Sequence, residues 1–264
     1  MELRQLALQA LCLNDPSEKV AALRALWARR EVLALDVAAV LVEPAGVPGR
    51  PARPLLVPPG SVPQRSPFTL AGRAALLHAI VHIEFNAINL GLDAVWRFPG
   101  LPPQFYLDWL RVAAEEAEHF TLLADHLATL GHAYGDFDAH DGLWTMTWKT
   151  REDLIARMAL VPRTLEARGL DATPLIQAKL TRAGDARAVE ILDVILRDEV
   201  GHVAIGNHWY RWACGRAGLD PLALYPQLLE RYQASKLKPP FNLEARRRAG
   251  FSAEEIAYLE TPGW

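Results

Sequence analysis

The sequence predicts an all-α fold built around a four-helix bundle, on three observations. Apolar residues recur at helical spacing through most of the 264 residues, whereas period-2 alternation is almost absent. Four long periodic segments are joined by a short, then a long, then a partly helical connection, in the order hairpin, crossover, hairpin. Two of these segments carry the same Glu-x-x-His spacing on their apolar stripe. The bundle is expected over residues 67–215, flanked by N-terminal helices and a proline-rich connector (1–66) and by a C-terminal extension (216–264).

The elements follow in order. Residues 3–13 form a short helical pattern, and Asn14-Asp15-Pro16 supplies a cap and a first-turn proline for a second helix over about 16–30. Eight prolines between Glu43 and Pro67 forbid a helix there, so this stretch is an extended connector, laid along the body by Leu55-Leu56-Val57. The first long segment runs from about Leu70 to Trp96; the second begins after Pro102-Pro103 and ends near Leu130-Gly131. Residues 131–148 have turn chemistry without a sustained period and read as a crossover. The third segment spans about Arg151 to Arg168 and stops at Gly169, followed by a shorter helix from Thr173-Pro174 to Gly184. Asp185 caps the fourth segment, about 186–214, and the rest is a mixed tail.

Composition narrows the class. Hydrophobic residues make up 51% and charged residues 22%, ordinary for a globular chain with a sizeable core. The formal net charge of −3 gives no reason to expect a nucleic acid or an anionic membrane as partner. Two cysteines, Cys12 and Cys214, are too few for a disulfide framework and suit a reducing compartment. No stretch reaches the roughly 20 uninterrupted apolar residues of a membrane span. A cytoplasmic protein without a cleaved leader is therefore expected, as a monomer or small homo-oligomer.

The chemistry lies in two ten-residue stretches. In VAAEEAEHFT, Glu116 and His119 share one helix face, inside a stripe formed by Trp109, Val112, Ala113, Phe120, Leu123 and Leu127. In RDEVGHVAIG, Glu199 and His202 repeat that spacing among Leu192, Ile195, Leu196, Val203 and Gly206. A carboxylate turned into a core is costly unless paired or metal-bound. A di-metal carboxylate bundle needs one further glutamate from each of the other two helices. Glu84 is the only acid between Arg73 and Leu92 and shares a stripe with Leu77, Ile80, Val81 and Ile88. Glu166 in RTLEARG is the matching candidate, although Pro162 bends its helix one turn earlier and Leu165 competes for the inward direction. The intervals agree, 32 residues from Glu84 to Glu116 and 33 from Glu166 to Glu199. Glu115 and Asp198, each four residues before a histidine, are candidates to hold the imidazole of the opposite helix. His82 is a third outer partner, and Glu118 should face solvent.

On HIEFNAI, AAEEAEHF, RTLEARGLD, RDEVGHVAIG and PPFNLEARRRAGF, the chain resembles the ferritin-like di-iron superfamily, and more closely a bacterial ferritin-like family of unknown function. The superfamily includes a tRNA hydroxylase, rubrerythrin-like peroxidases, ribonucleotide reductase small subunits and ferritins. The resemblance implies a ferritin-like bundle with Glu84, Glu116, His119, Glu166, Glu199 and His202 as the six ligands. Four carboxylates and two imidazoles suit two iron ions, with Mn/Fe and Mn/Mn pairs as alternatives. The expected activity is reaction with dioxygen or peroxide to hydroxylate or oxidise an organic substrate, with electrons from an external donor. The alternatives are a peroxidase or ferroxidase of metal and oxidant stress, and a non-catalytic metal-binding scaffold.

Overall fold

The computed structural model describes residues 2–235 and 237–261, and they form an all-helical protein. Among them strand pairing is confined to two isolated bridges, Glu2 with Ala34 and Leu56 with Ala139. The chain divides into two compact units, one up to Trp144 and one from Thr145 onward.

In the N-terminal unit, α1 (Leu3–Leu11) and α2 (Pro16–Ala28) pack beside a long hairpin of α3 (Leu70–Arg97) and α4 (Pro103–Thr129). Each helix starts where local chemistry permits. Asp15 accepts from the backbone N–H of Ser17 and Glu18 ahead of Pro16, and Thr69 accepts from Gly72. Two buried cations then close the open ends. Arg4 donates to the carbonyls of Val95 and Trp96, at the C-terminus of α3, and to that of Ala39, ahead of the connector. Lys19 Nζ donates to Leu11 O, Gly49 O and Asn89 Oδ1. Orphan carbonyls at helix ends thus find their donors on the N-terminal helices.

By composition α3 is long and apolar enough to cross a membrane, but 78% of that apolar window is buried inside the protein, as in a core helix. The α3–α4 pair sits close because Gly91 faces Ala113; a Cβ at Gly91 would lie 2.8 Å from the Ala113 Cβ. The connector is held differently from the sequence expectation. Leu55 and Leu56 are exposed, and the hold comes from backbone bonds, Val57 N–H to Ala139 O and Ala139 N–H to Leu55 O, and from the Arg50–Asp141 ion pair at 2.8 Å.

In the C-terminal unit the expected stop at Gly169 does not occur. α6 (Leu154–Leu160) runs into a π-helical turn (Val161–Glu166), and that turn runs into α7 (Ala167–Arg182), which passes through both Gly169 and Pro174. Pro174 has no N–H for the carbonyl of Leu170. Asn242 Nδ2 donates to that oxygen instead, at 3.2 Å, so the break is repaired from the tail. α8 (Ala186–Ala217) is capped by Asp185 and ended by Gly218 in the left-handed conformation. The crossover is also more ordered than expected, since α5 (Gly142–Lys149) occupies its last part. The boundary between the units falls inside it. Three short helices, α9 (Pro221–Arg231), α10 (Leu243–Arg248) and α11 (Ala253–Glu260), make up the tail. Leu237, Ala245, Ala249, Phe251, Ile256 and Leu259, on α10, α11 and the segments beside them, form one cluster with Ala167 and Leu170 of α7 and Val203 of α8. Of the three consecutive arginines, Arg246 is buried and paired with Asp171 at 2.6 Å, while Arg247 and Arg248 are exposed.

Candidate metal centre

Glu84 on α3 and Glu116 and His119 on α4 lie on the apolar stripes of their helices, and all three are buried. Glu118, on the opposite face, is exposed, as expected. His119 Nδ1 lies 3.2 Å from Glu116 Oε2 and 3.6 Å from Glu84 Oε2. One potential ligand atom from each of the three falls within 4.8 Å of the others, a spacing one metal ion can span.

The electrostatics favour a cation. Burial, and next the neighbouring Glu116 carboxylate, push the Glu84 carboxyl well above the ordinary carboxylate range, with His119 pulling the other way. Two adjacent acids in a dry site cannot both ionise without a positive partner. A divalent ion supplies that charge, and a donor set of carboxylate oxygen and imidazole nitrogen suits iron or manganese. The residues present fit the metal.

In the C-terminal unit, Glu199 and His202 sit one turn apart on α8, both buried, with Glu199 Oε1 3.6 Å from His202 Nδ1. Glu166 is buried as the last residue of the π-turn, while Leu165 is half-exposed. The competition posed by Leu165 is resolved by the turn itself. A π-turn carries an extra residue per turn, which rotates everything after it relative to an α-helix.

The expected outer partners are Glu115, Asp198 and His82. Glu115 is half-buried, 3.4 Å from Arg111 on its own helix. Asp198 pairs with its neighbour Arg197 at 2.8 Å. His82 faces the crossover: its Nδ1 lies 2.9 Å from the Tyr134 hydroxyl, and its Nε2 lies 3.2 Å from the His140 carbonyl and 3.0 Å from Asn86 Nδ2. His78, one turn earlier, accepts at Nε2 from the Gly135 N–H at 2.9 Å. Burial lowers both imidazoles to about 4. They are neutral anchors for the segment 134–140. Tyr134 packs between Phe85 and Phe120, each next in sequence to a member of the trio, and so walls that side.

The segment carrying Glu166 depends on residues that sequence reasoning did not single out. Arg163 is buried and donates to Asn207 Oδ1 at 2.6 Å, pairs with Glu255 at 2.9 Å, and is flanked by the rings of Tyr210, Tyr225 and Phe251. One signal existed: Arg157 and Arg163 are the only charges between Leu154 and Leu165. A cation in so apolar a run needs a built partner. That partner lies 92 residues further on, where no local pattern reveals it.

Among known proteins, the family model described as "Protein of unknown function (DUF455)" matches residues 12–257. A protein of Haemophilus influenzae, described as "Uncharacterized protein", is 54% identical over 216 residues, covering 79% of this chain and 75% of its own length. No solved structure matches.

Proposed function

The chain belongs to the DUF455 family, and from that premise we propose that it is a di-iron carboxylate protein with a ferritin-like bundle, oxidising an organic substrate with dioxygen. Glu84, Glu116 and His119 are assigned to the metal pair from the N-terminal unit, and Glu166, Glu199 and His202 from the C-terminal unit. The observation that carries the reading is the buried trio of two carboxylates and an imidazole within 4.8 Å. It is supported by the second buried Glu-x-x-His on α8 at the same spacing.

When bound, two ferrous ions would supply the electrons and open coordination positions that reduction of dioxygen requires. The chain's own residues hold the carboxylates and imidazoles fixed and exclude bulk water. Phe85, Phe120 and Tyr134 make one wall aromatic and dry. Glu84, whose carboxyl favours its proton while no cation faces it, gives that proton up when metal binds. Metal uptake should therefore release protons and strengthen as pH rises.

Anaerobic loading with Fe(II), followed by exposure to oxygen, tests the reading. Two irons per chain and rapid oxygen uptake are expected. Absence of bound iron at neutral pH would remove the basis for the proposal, and bound iron inert to oxygen would reduce it to a metal-binding scaffold.

A further inference from the structure

Three consecutive residues of the π-turn, Pro162, Arg163 and Thr164, are each fastened to something specific. Pro162 rests on α8 at Gly206, where a Cβ would lie 2.5 Å from the proline Cβ and 2.7 Å from its Cγ. Arg163 is fixed by Asn207, on α8, and by Glu255, on α11. Thr164 donates to the Ala159 carbonyl and shares a 2.7 Å hydrogen bond with the Tyr225 hydroxyl of α9. Ala167 N–H then reaches back to the carbonyl of Pro162, five residues earlier, which closes the wide turn.

Glu255 is itself fixed from three sides. It accepts from the Ser252 N–H in a capping box at the start of α11 and pairs with Arg211 at 2.7 Å as well as with Arg163. The acid stays ionised, held below the ordinary carboxylate range chiefly by the Arg163 guanidinium against the cost of burial. A tail helix thus reaches under α8 to the turn that carries a metal-ligand candidate. An α-helical register through Val161–Glu166 would rotate Glu166 away from its present direction, so the wide turn has a consequence beyond stability.

We propose that Arg163, Glu255 and Gly206 are positioning residues for Glu166, so that the C-terminal helix α11 sets the geometry of the metal centre through the π-turn. This rests on the di-metal reading above. Neither Arg163 nor Glu255 needs to touch metal. They hold the backbone from which Glu166 projects, and Gly206 provides the space into which Pro162 must sit.

The test uses the full chain and Co(II) alone as probe, since its visible absorption reports ligand geometry. E255Q and G206A are expected to stay helical by circular dichroism at a temperature well below their melting. Each should weaken Co(II) binding by about tenfold, the scale set by loss of an outer partner, and shift the visible band in the direction that E166Q does. With Glu166 already replaced, E255Q should add little, because its effect runs through that residue. K19M, which removes a buried cation from the N-terminal unit, should lower melting temperature without moving the band. If E255Q and G206A lower the melting temperature as K19M does but leave affinity and band as in wild type, the tail is only structural and the inference fails. If wild type binds no Co(II), the metal reading fails instead, and the inference falls with it.

Discussion

Neutralising Glu84 sets stability against binding. Its folded-state carboxyl is raised by burial and by Glu116, so its contribution to stability is present at low pH and lost as pH rises through the folded value. Metal-free E84Q should be more stable than metal-free wild type at pH 7, by roughly 1–3 kcal/mol, as expected for relieving a buried like-charge pair. The same variant should lose most of its metal affinity. Denaturant titration of the apo proteins, with metal analysis alongside, checks both signs. His78 runs the opposite way. Its Nε2 accepts from Gly135 and its folded value lies near 4, below the ordinary histidine value, so the neutral form is the one the fold needs. Stability should be complete above about pH 6.5 and decline toward pH 4, up to about 3 kcal/mol if the full shift is realised. In H78Q, which has an acceptor but no charge to gain in that range, the decline should be measurably shallower.

At the scale of elements, the close approach of α3 and α4 can be tested at one glycine. Gly91→Ala gains about 1 kcal/mol of helix propensity but places a methyl 2.8 Å from the Ala113 Cβ and 3.0 Å from its backbone nitrogen. Forced separation of packed helices costs roughly 1–3 kcal/mol. Net destabilisation is therefore expected, with weaker metal binding, because Ala113 lies one turn before Glu116. A stabilised variant would show that the hairpin yields easily. The same two helices were the most legible part of the sequence. Their stripes are long, their stops are Phe98-Pro99-Gly100 and Gly131, and Glu84, Glu116 and His119 fall on the inward faces as periodicity demands. The third segment was less legible for a physical reason. Gly169 and Pro174 are local stop signals, but Asn242 repairs the carbonyl that Pro174 leaves open, and Arg246 ties Asp171 beside it. Those donors come from more than 70 residues away. A π-turn leaves no periodic trace, so the direction of Glu166 could not be read from spacing.

At the scale of the molecule, each unit contributes one Glu-x-x-His pair and one further glutamate to the proposed centre. Metal that binds the folded chain but not the unfolded one stabilises by mass action, about 2.7 kcal/mol at a hundred times the dissociation constant. Thermal melts should rise on adding Fe(II) anaerobically and return to the apo value with chelator. The central claim, a shared metal pair, is tested most directly by the iron content of H119A and H202A beside wild type. All three are loaded anaerobically with a slight excess of Fe(II) and desalted. The shared centre predicts two irons per wild-type chain and loss of both sites' tight binding when either histidine is removed. One iron retained at wild-type affinity in each variant would contradict it, for then each unit would hold its own ion.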